Sequence, residues 1–227
     1  MDLGLTGRSA MVAAASKGIG LACARLLAGE GCRVSICARS ADALGEACGL
    51  IGRDVRGYVV DVSKAEDLPR WFQMTRDELG EPDVLVTNTG GPPAGSWQEM
   101  SDEQWQAGID STLMNVVRLM RLVTPGMRAR GWGRIVHITS LVAKEPNPLL
   151  PISSTLRAGL MALTKLQALE LAPHGITVNA VLPGHTLTDR QRHLAEVRAG
   201  KAGIAPEEAL RRQAEEVPLG RLADPSE

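Results

Sequence analysis

The stretch Ala13-Ala14-Ala15-Ser16-Lys17-Gly18-Ile19-Gly20 follows directly on an apolar run and opens an amphipathic segment. Residues 9–14 read as a strand, and Ile19, Cys23, Leu26 and Leu27 follow the turn at helical spacing. A strand that turns through glycines into a helix presents bare backbone N–H groups at the positive helix end. That arrangement receives a dinucleotide pyrophosphate. Two glycines alone are what any tight turn wants. The strand before, the helix after and a second strand about 20 residues on make the stretch a dinucleotide signature.

Outward from this unit, short β-branched runs alternate with helical stretches. Strands are predicted at 33–37, 58–62, 84–87, 133–139 and 176–182, and helices at 41–50, 64–79, 101–123 (with Ser101 as N-cap) and 150–172. Residues 188–216 read as one or two polar amphipathic helices. Strict alternation implies an α/β fold of Rossmann type: a doubly wound parallel sheet of six strands in a single domain over residues 1–227. Ligands of such sheets bind beyond the carboxyl ends of the strands. The informative residues are then Gly18 and Gly20, Arg39, Asp61, Asn88-Thr89-Gly90, Ser140, and Pro183-Gly184.

Charge is balanced, with 25 basic against 26 acidic residues, which argues against nucleic acid or another polyanion as partner. No apolar run approaches the ~18 residues of a membrane span. Met1-Asp2-Leu3 leads almost at once into the first strand, so no signal peptide is expected and a cytoplasmic location follows. Cys23, Cys32, Cys37 and Cys48 have no CxxC or metal-ligand spacing and read as buried thiols of a reducing compartment, with no metal. The expected partner is a small-molecule substrate.

In order and spacing, Ser16-Lys17-Gly18-Ile19-Gly20, Asp61-Val62, Val86-Thr87-Asn88-Thr89-Gly90, Arg134-Ile135-Val136-His137-Ile138-Thr139-Ser140 and Ile176-Thr177-Val178-Asn179-Ala180-Val181-Leu182-Pro183-Gly184 resemble the short-chain dehydrogenase/reductases, in their 3-oxoacyl-[acyl-carrier-protein] reductase-like branch. The resemblance covers nearly the whole chain. It implies a tyrosine that protonates the substrate oxygen and a lysine four residues on that lowers its pKa. It also implies a serine that holds the carbonyl and a helix asparagine that completes a water relay. Ser140 stands at the serine position, but Ser153 takes the tyrosine's place, Arg157 the lysine's and Thr112 the asparagine's. The only tyrosine is Tyr58, expected in strand three, so the usual acid is lost. An aliphatic hydroxyl cannot be brought near neutrality as a phenol can. Serine also ends roughly 4 Å short of a phenol oxygen, a gap that a water anchored on Ser153 would bridge. Arg157 keeps the positive charge and can fork onto ribose hydroxyls, but it does not surrender its proton. His185, after Pro183-Gly184, is either a substitute acid of suitable pKa or a solvated loop residue. His137 is expected to be packed in the core.

For the cofactor, the resemblance implies a pyrophosphate turn of Ala14, Ser16, Lys17, Gly18, Ile19 and Gly20, with Ala14 replacing the family's first glycine. Arg39 stands where NAD-preferring members carry an acid, and with Lys17 it suits a 2′-phosphate. NADP(H) is therefore expected over NAD(H), unless Arg39 merely caps a strand in solvent. Asp61 is expected on the adenine amino group beside Val62, and Asn88 is expected to tie strands together near Gly90. Arg157, Pro183, Gly184 and Thr186 complete the set. The substrate pocket is expected from residues 91–97, 141–152 and a lid at 185–218. Arg118, Arg121, Arg128, Arg130 and Arg134 read as a solvated or subunit-facing edge, or else as a dock for an acyl carrier or coenzyme A. Trp97, Trp105 and Trp132 read as packing anchors. Residues 217–227 resemble the lead-in to a helix and seventh strand that do not follow here, and a homodimer or homotetramer is implied. The functional expectation is an NADP(H)-dependent ketoreductase or alcohol dehydrogenase. The alternatives are a degenerate member that binds dinucleotide without hydride transfer, and another reaction on the same scaffold.

Overall fold

Ser9–Val12 is buried along its whole length and forms β1, an inner strand of a six-stranded sheet in the computed structural model, which describes residues 2–52 and 54–227. Met1, where the expectation about a leader begins, and Arg53 lie outside the described residues. The chain continues through α1 (Gly18–Gly29), β2 (Arg33–Ala38), α2 (Ala41–Ile51), β3 (Val55–Val59), α3 (Asp67–Leu79) and β4 (Val84–Thr87). Then come α4 (Asp102–Gly108), a π-helical turn (Ile109–Met114), α5 (Asn115–Arg130), β5 (Gly133–Ile138), α6 (Pro151–Leu171), β6 (Ile176–Val181), α7 (Asp189–Ala202) and α8 (Pro206–Glu215). All pairings are parallel, in the order β3-β2-β1-β4-β5-β6. The order reverses between β1 and β4, which opens a crevice above their carboxyl ends.

Alternation along each strand divides the core into two layers. Met11, Cys37, Tyr58, Leu85, Ile135 and Val178 face α3, α5 and α6 around Trp71, Leu119 and Leu160. Ala10, Val12, Val34, Ile36, Val55 and Val86 face Ala24 of α1 and Leu44 and Ala47 of α2. The cysteines are free, and burial pushes the Cys37 thiol up to about 12.

Boundaries differ from expectation most at β3 and at the long helix, while β1 ends at Val12 rather than 14 and α3 begins at Asp67 rather than 64. β3 spans Val55–Val59 rather than 58–62, because its register runs from Val34↔Val55 to Ala38↔Val59 and β2 ends there. The apolar run after it is buried as the support of a loop, with Val60 and Val62 in the core. The helix predicted at 101–123 extends to Arg130. Ser101 and Gln104 form a reciprocal capping box at its start, and Pro125 lies inside α5 without ending it. The π-helical turn within this helix carries Thr112.

β3 and β6 are the outer strands of this sheet, and Val181 of β6 is 48% exposed. α7 and α8 pack on each other through Ala195, Ala199 and Ala209. The 185–187 segment is tied to residues near the chain end: Leu187 N–H donates to Ala223 O (2.8 Å) and Ala223 N–H to His185 O (2.9 Å). Among the described residues no helix is long and apolar enough to cross a membrane.

Candidate active site

A cavity of about 1490 Å³ lies beyond the carboxyl ends of the strands and reaches from the turn after β1 to α7 and α8. It exceeds the few hundred to ~1,000 Å³ of an ordinary ligand pocket and has room for a dinucleotide beside a second molecule.

At one end stands the turn of residues 13–20. Lys17 is the N-cap of α1 but makes no side-chain cap, and no acid lies in the first turn, so the leading N–H groups are not satisfied by side chains. Gly18 has φ +57°, and Ala14, at the family's glycine position, adopts φ +48° in the left-handed region that glycine favours. Ala14, Ser16, Lys17, Gly18 and Ile19 line the cavity. Gly20 does not. It permits close packing, because a Cβ there would stand 2.6 Å from Ala14 O and 2.8 Å from Asn88 Nδ2. Asn88 donates to Ala14 O (3.0 Å) and so ties the end of β4 to the turn. Asp61 Oδ1 accepts from Ser63 N–H (3.0 Å) and Ser63 Oγ–H (2.7 Å). Burial alone would raise its carboxyl, but these bonds and the charges of Arg39 and Lys64 hold it below the usual range. Val62, Gly90, Pro183, Gly184 and Thr186 also line the cavity. An uncapped helix start, a left-handed turn without room for a side chain behind it and a fixed carboxylate together fit a dinucleotide.

The expected pair of cations is divided. Arg39 is exposed on the cavity wall. Lys17 instead reaches across to α7, where its Nζ lies 2.7 Å from Asp189 Oδ2, and both side chains are exposed. An acid at the first position of α7 draws the lysine over the turn.

At the other end Ser140 follows β5 and caps a short 3₁₀ turn, its Oγ accepting from Val142 N–H (3.3 Å). Ser153 and Arg157 lie one helical turn apart on α6, each 6% exposed. Arg157 Nε donates to Ser153 Oγ (3.2 Å), and Nη1 donates to Ile138 O (3.0 Å) and Thr139 O (2.7 Å). These bonds correct the expectation of a guanidinium forked outward onto ribose: the carbonyls where β5 leaves the sheet turn it inward. Burial, with Arg190 nearby, lowers its pKa to about 10, so it remains charged at neutral pH. Thr112 does not line the main cavity. Its Oγ1 is buried without a partner among the described residues, beside Asn88, Asn115 and Arg157.

His185 lines the cavity, but Nδ1 faces Gln191 Nε2 (3.5 Å) and Nε2 faces Glu216 (3.8 Å), so both nitrogens turn to the α7–α8 segment. His137 is a core residue held between Thr87 Oγ1 (2.7 Å) and Gln167 Oε1 (3.0 Å), and burial lowers its pKa. Tyr58 lies in the core away from the cavity. Trp97 is no packing anchor: it is 67% exposed and lies outside the cavity lining. Trp132 is one, gripped between Arg8 and Arg134 at 3.9 and 4.4 Å. Within the basic patch Arg118 pairs with Asp110 (2.8 Å) and Arg130 with Asp83 (3.4 Å).

Sequence reading missed Arg190 and Arg198, which line the cavity from α7. The signal was present in the four-residue spacing of Arg190, Leu194, Arg198 and Ala202, which places them on one helical face. Arg190 Nη2 donates to Pro92 O and so joins α7 to the loop after β4.

A family model described as short chain dehydrogenase matches residues 8–199. The 3-oxoacyl-[acyl-carrier-protein] reductase FabG of Escherichia coli is 34% identical over 97% of this chain and 86% of its own. The structure of L-sorbose reductase from Gluconobacter frateurii with NADPH and L-sorbose superposes with a TM-score of 0.92 at 35% identity, covering 100% of this chain and 88% of that one. That of an NAD⁺-bound xylitol dehydrogenase gives 0.90 at 25% identity, covering 98% and 89%. With this sheet order, this cavity and a match of this extent, the chain belongs to the short-chain dehydrogenase/reductases and is a ketoreductase-like oxidoreductase.

Proposed function

We propose that this chain is an NADP(H)-dependent ketoreductase in which a serine–arginine pair replaces the tyrosine–lysine pair of its relatives. One observation carries the reading. Ser140 Oγ accepts from Val142 N–H and Ser153 Oγ accepts from Arg157 Nε–H, which leaves both hydroxyl hydrogens free to donate into the cavity. The bound cofactor would supply a hydride to the carbonyl carbon. Ser140 Oγ–H then donates to the carbonyl oxygen and polarises it. Ser153 Oγ–H is aligned to hold a water that passes a proton to the same oxygen and is itself re-protonated from solvent, and the Arg157 charge favours the transfer by stabilising the negative charge that hydride addition places on the carbonyl oxygen. The inward bonds of Arg157 keep the pair rigid. His185, with both nitrogens turned away, is a positioning residue of the 185–218 lid.

The preference for NADP(H) rests on Arg39, an exposed guanidinium in the cavity wall with no acid in its place. Titration by nicotinamide fluorescence tests it: NADPH should bind more tightly than NADH, and Arg39→Ala should weaken NADPH roughly 10-fold, the worth of a charged hydrogen bond, while leaving NADH unchanged. Equal affinity in the parent protein would overturn the preference. The reading of a dinucleotide sensor without turnover draws on the distance of Tyr58 from the cavity, and binding without turnover on a broad ketone panel would favour it. A homo-oligomer is part of the same proposal, and Leu166 and Leu169 of α6 stand exposed for such contact.

A further inference from the structure

We propose that Arg198 and Arg190 form an oxyanion subsite at the reaction end of the cavity, so that the substrate is a carbonyl compound carrying its own carboxylate or phosphate rather than a neutral ketone or a thioester. This rests on the ketoreductase reading and adds the substrate's charge.

The two arginines lie two helical turns apart on the face of α7 that lines the cavity, with Leu194 between them. Arg190 is held by Pro92 O, which fixes its guanidinium over the loop after β4. Arg198 makes no hydrogen bond or ion pair among the described residues, and its Nη1 is buried without a partner. A buried guanidinium N–H with nothing to donate to is costly, and native proteins rarely retain one without a ligand, ion or water to meet it. The planar fork of arginine matches a carboxylate or phosphate in two parallel bonds. The positive charge is also concentrated: Arg190 and Arg198 each disfavour ionisation of a neighbour, Arg198 that of Arg190 and Arg190 that of Arg157. Most of the cavity's own carboxylates are engaged elsewhere. Asp189 is paired with Lys17, Asp61 accepts from Ser63 and Asp224 accepts from Ser226, while Glu145 is exposed in the loop after β5. Glu216, which favours the charge on Arg198, is largely exposed and lies toward His185. A thioester carbonyl brings no charge to this place, whereas a free oxo acid or a phosphorylated ketone would.

The test is calorimetric titration of the protein, with and without NADP⁺, using malonate, inorganic phosphate and the uncharged dimethyl malonate at ionic strength held constant with chloride. Malonate or phosphate should bind and dimethyl malonate should not. The stronger of the two anions tells whether a carboxylate or a phosphate is the group recognised. Arg198→Met should weaken that anion roughly 10- to 100-fold, the loss of a charge-assisted bond, and change NADPH affinity less than 2-fold. Glu216→Gln should tighten it. If Arg198→Met does not fold, Arg198→Lys keeps the charge without the fork and should still weaken the anion. No anion binding above chloride would overturn the proposal, as would an equal loss of anion and NADPH in the Arg198 variant, which would assign the arginine to the cofactor. A parent protein that bound the anion but not NADPH would overturn the ketoreductase reading instead.

Discussion

The turn after β1 and the Ser153–Arg157 pair on α6 lie in the same cavity, yet they respond differently to departures from the family pattern. The turn works through backbone. Its one substitution, Ala14, adopts the left-handed conformation of the glycine it replaces, and the exposed helix start, the Asn88 tie and the close packing at Gly20 are all kept. The pair works through side chains. In the proposed mechanism the exchange of both members places a water where a phenol would act, and the Arg157 cation is bonded to Ser153 Oγ and to the end of β5. A site made of N–H groups and chain geometry absorbs a methyl group; a site made of one phenol does not survive its loss unaltered.

Gly20→Val should break the first half of that contrast most severely. Its Cβ would meet the Ala14 carbonyl, a backbone atom that cannot step aside, so NADPH affinity should fall more than 100-fold with a loss of about 2 kcal/mol of stability. Fluorescence titration and thermal melting read the two effects. Arg157→Met should sharpen the second half. It strips the carbonyls of Ile138 and Thr139 of their donor and Ser153 of its polarising partner, at a cost of about 2 kcal/mol. Turnover should fall roughly 30-fold while NADPH binding changes little, the mark of a group acting on the reaction step. Ala14→Gly should have the smallest effect. Relief of the left-handed alanine should raise stability by about 1 kcal/mol without altering affinity, and a decrease would mean that the methyl has been accommodated.

Much of the fold was legible because strand and helix periods alternate cleanly, and glycines, prolines and caps mark the turns. The end of β3 was not, because an apolar run at 58–62 shows burial but not hydrogen-bond register, and the partner strand β2 decides where pairing stops. At the site, residues following each strand were found because topology sends them to one crevice. Lys17 misled because its partner, Asp189, lies 172 residues away in sequence, and a charge read locally has no visible counterion. Arg157 was expected to reach outward and instead meets Ser153 Oγ and the carbonyls of Ile138 and Thr139, since neither spacing nor residue type tells which carbonyls a guanidinium will meet. Arg198 went unread because α7 is mostly polar, with a short alanine face against α8, and its cavity stripe shows only in the four-residue spacing.

The most direct test of the central claim is single-turnover hydride transfer by Ser153→Ala, measured beside its NADPH affinity. General acid catalysis is worth roughly 10²–10⁴-fold. If Ser153 organises proton delivery, transfer should drop at least 100-fold while NADPH binds as in the parent protein. Transfer at the parent rate would contradict that role and leave the pair at the end of β5 as structure alone.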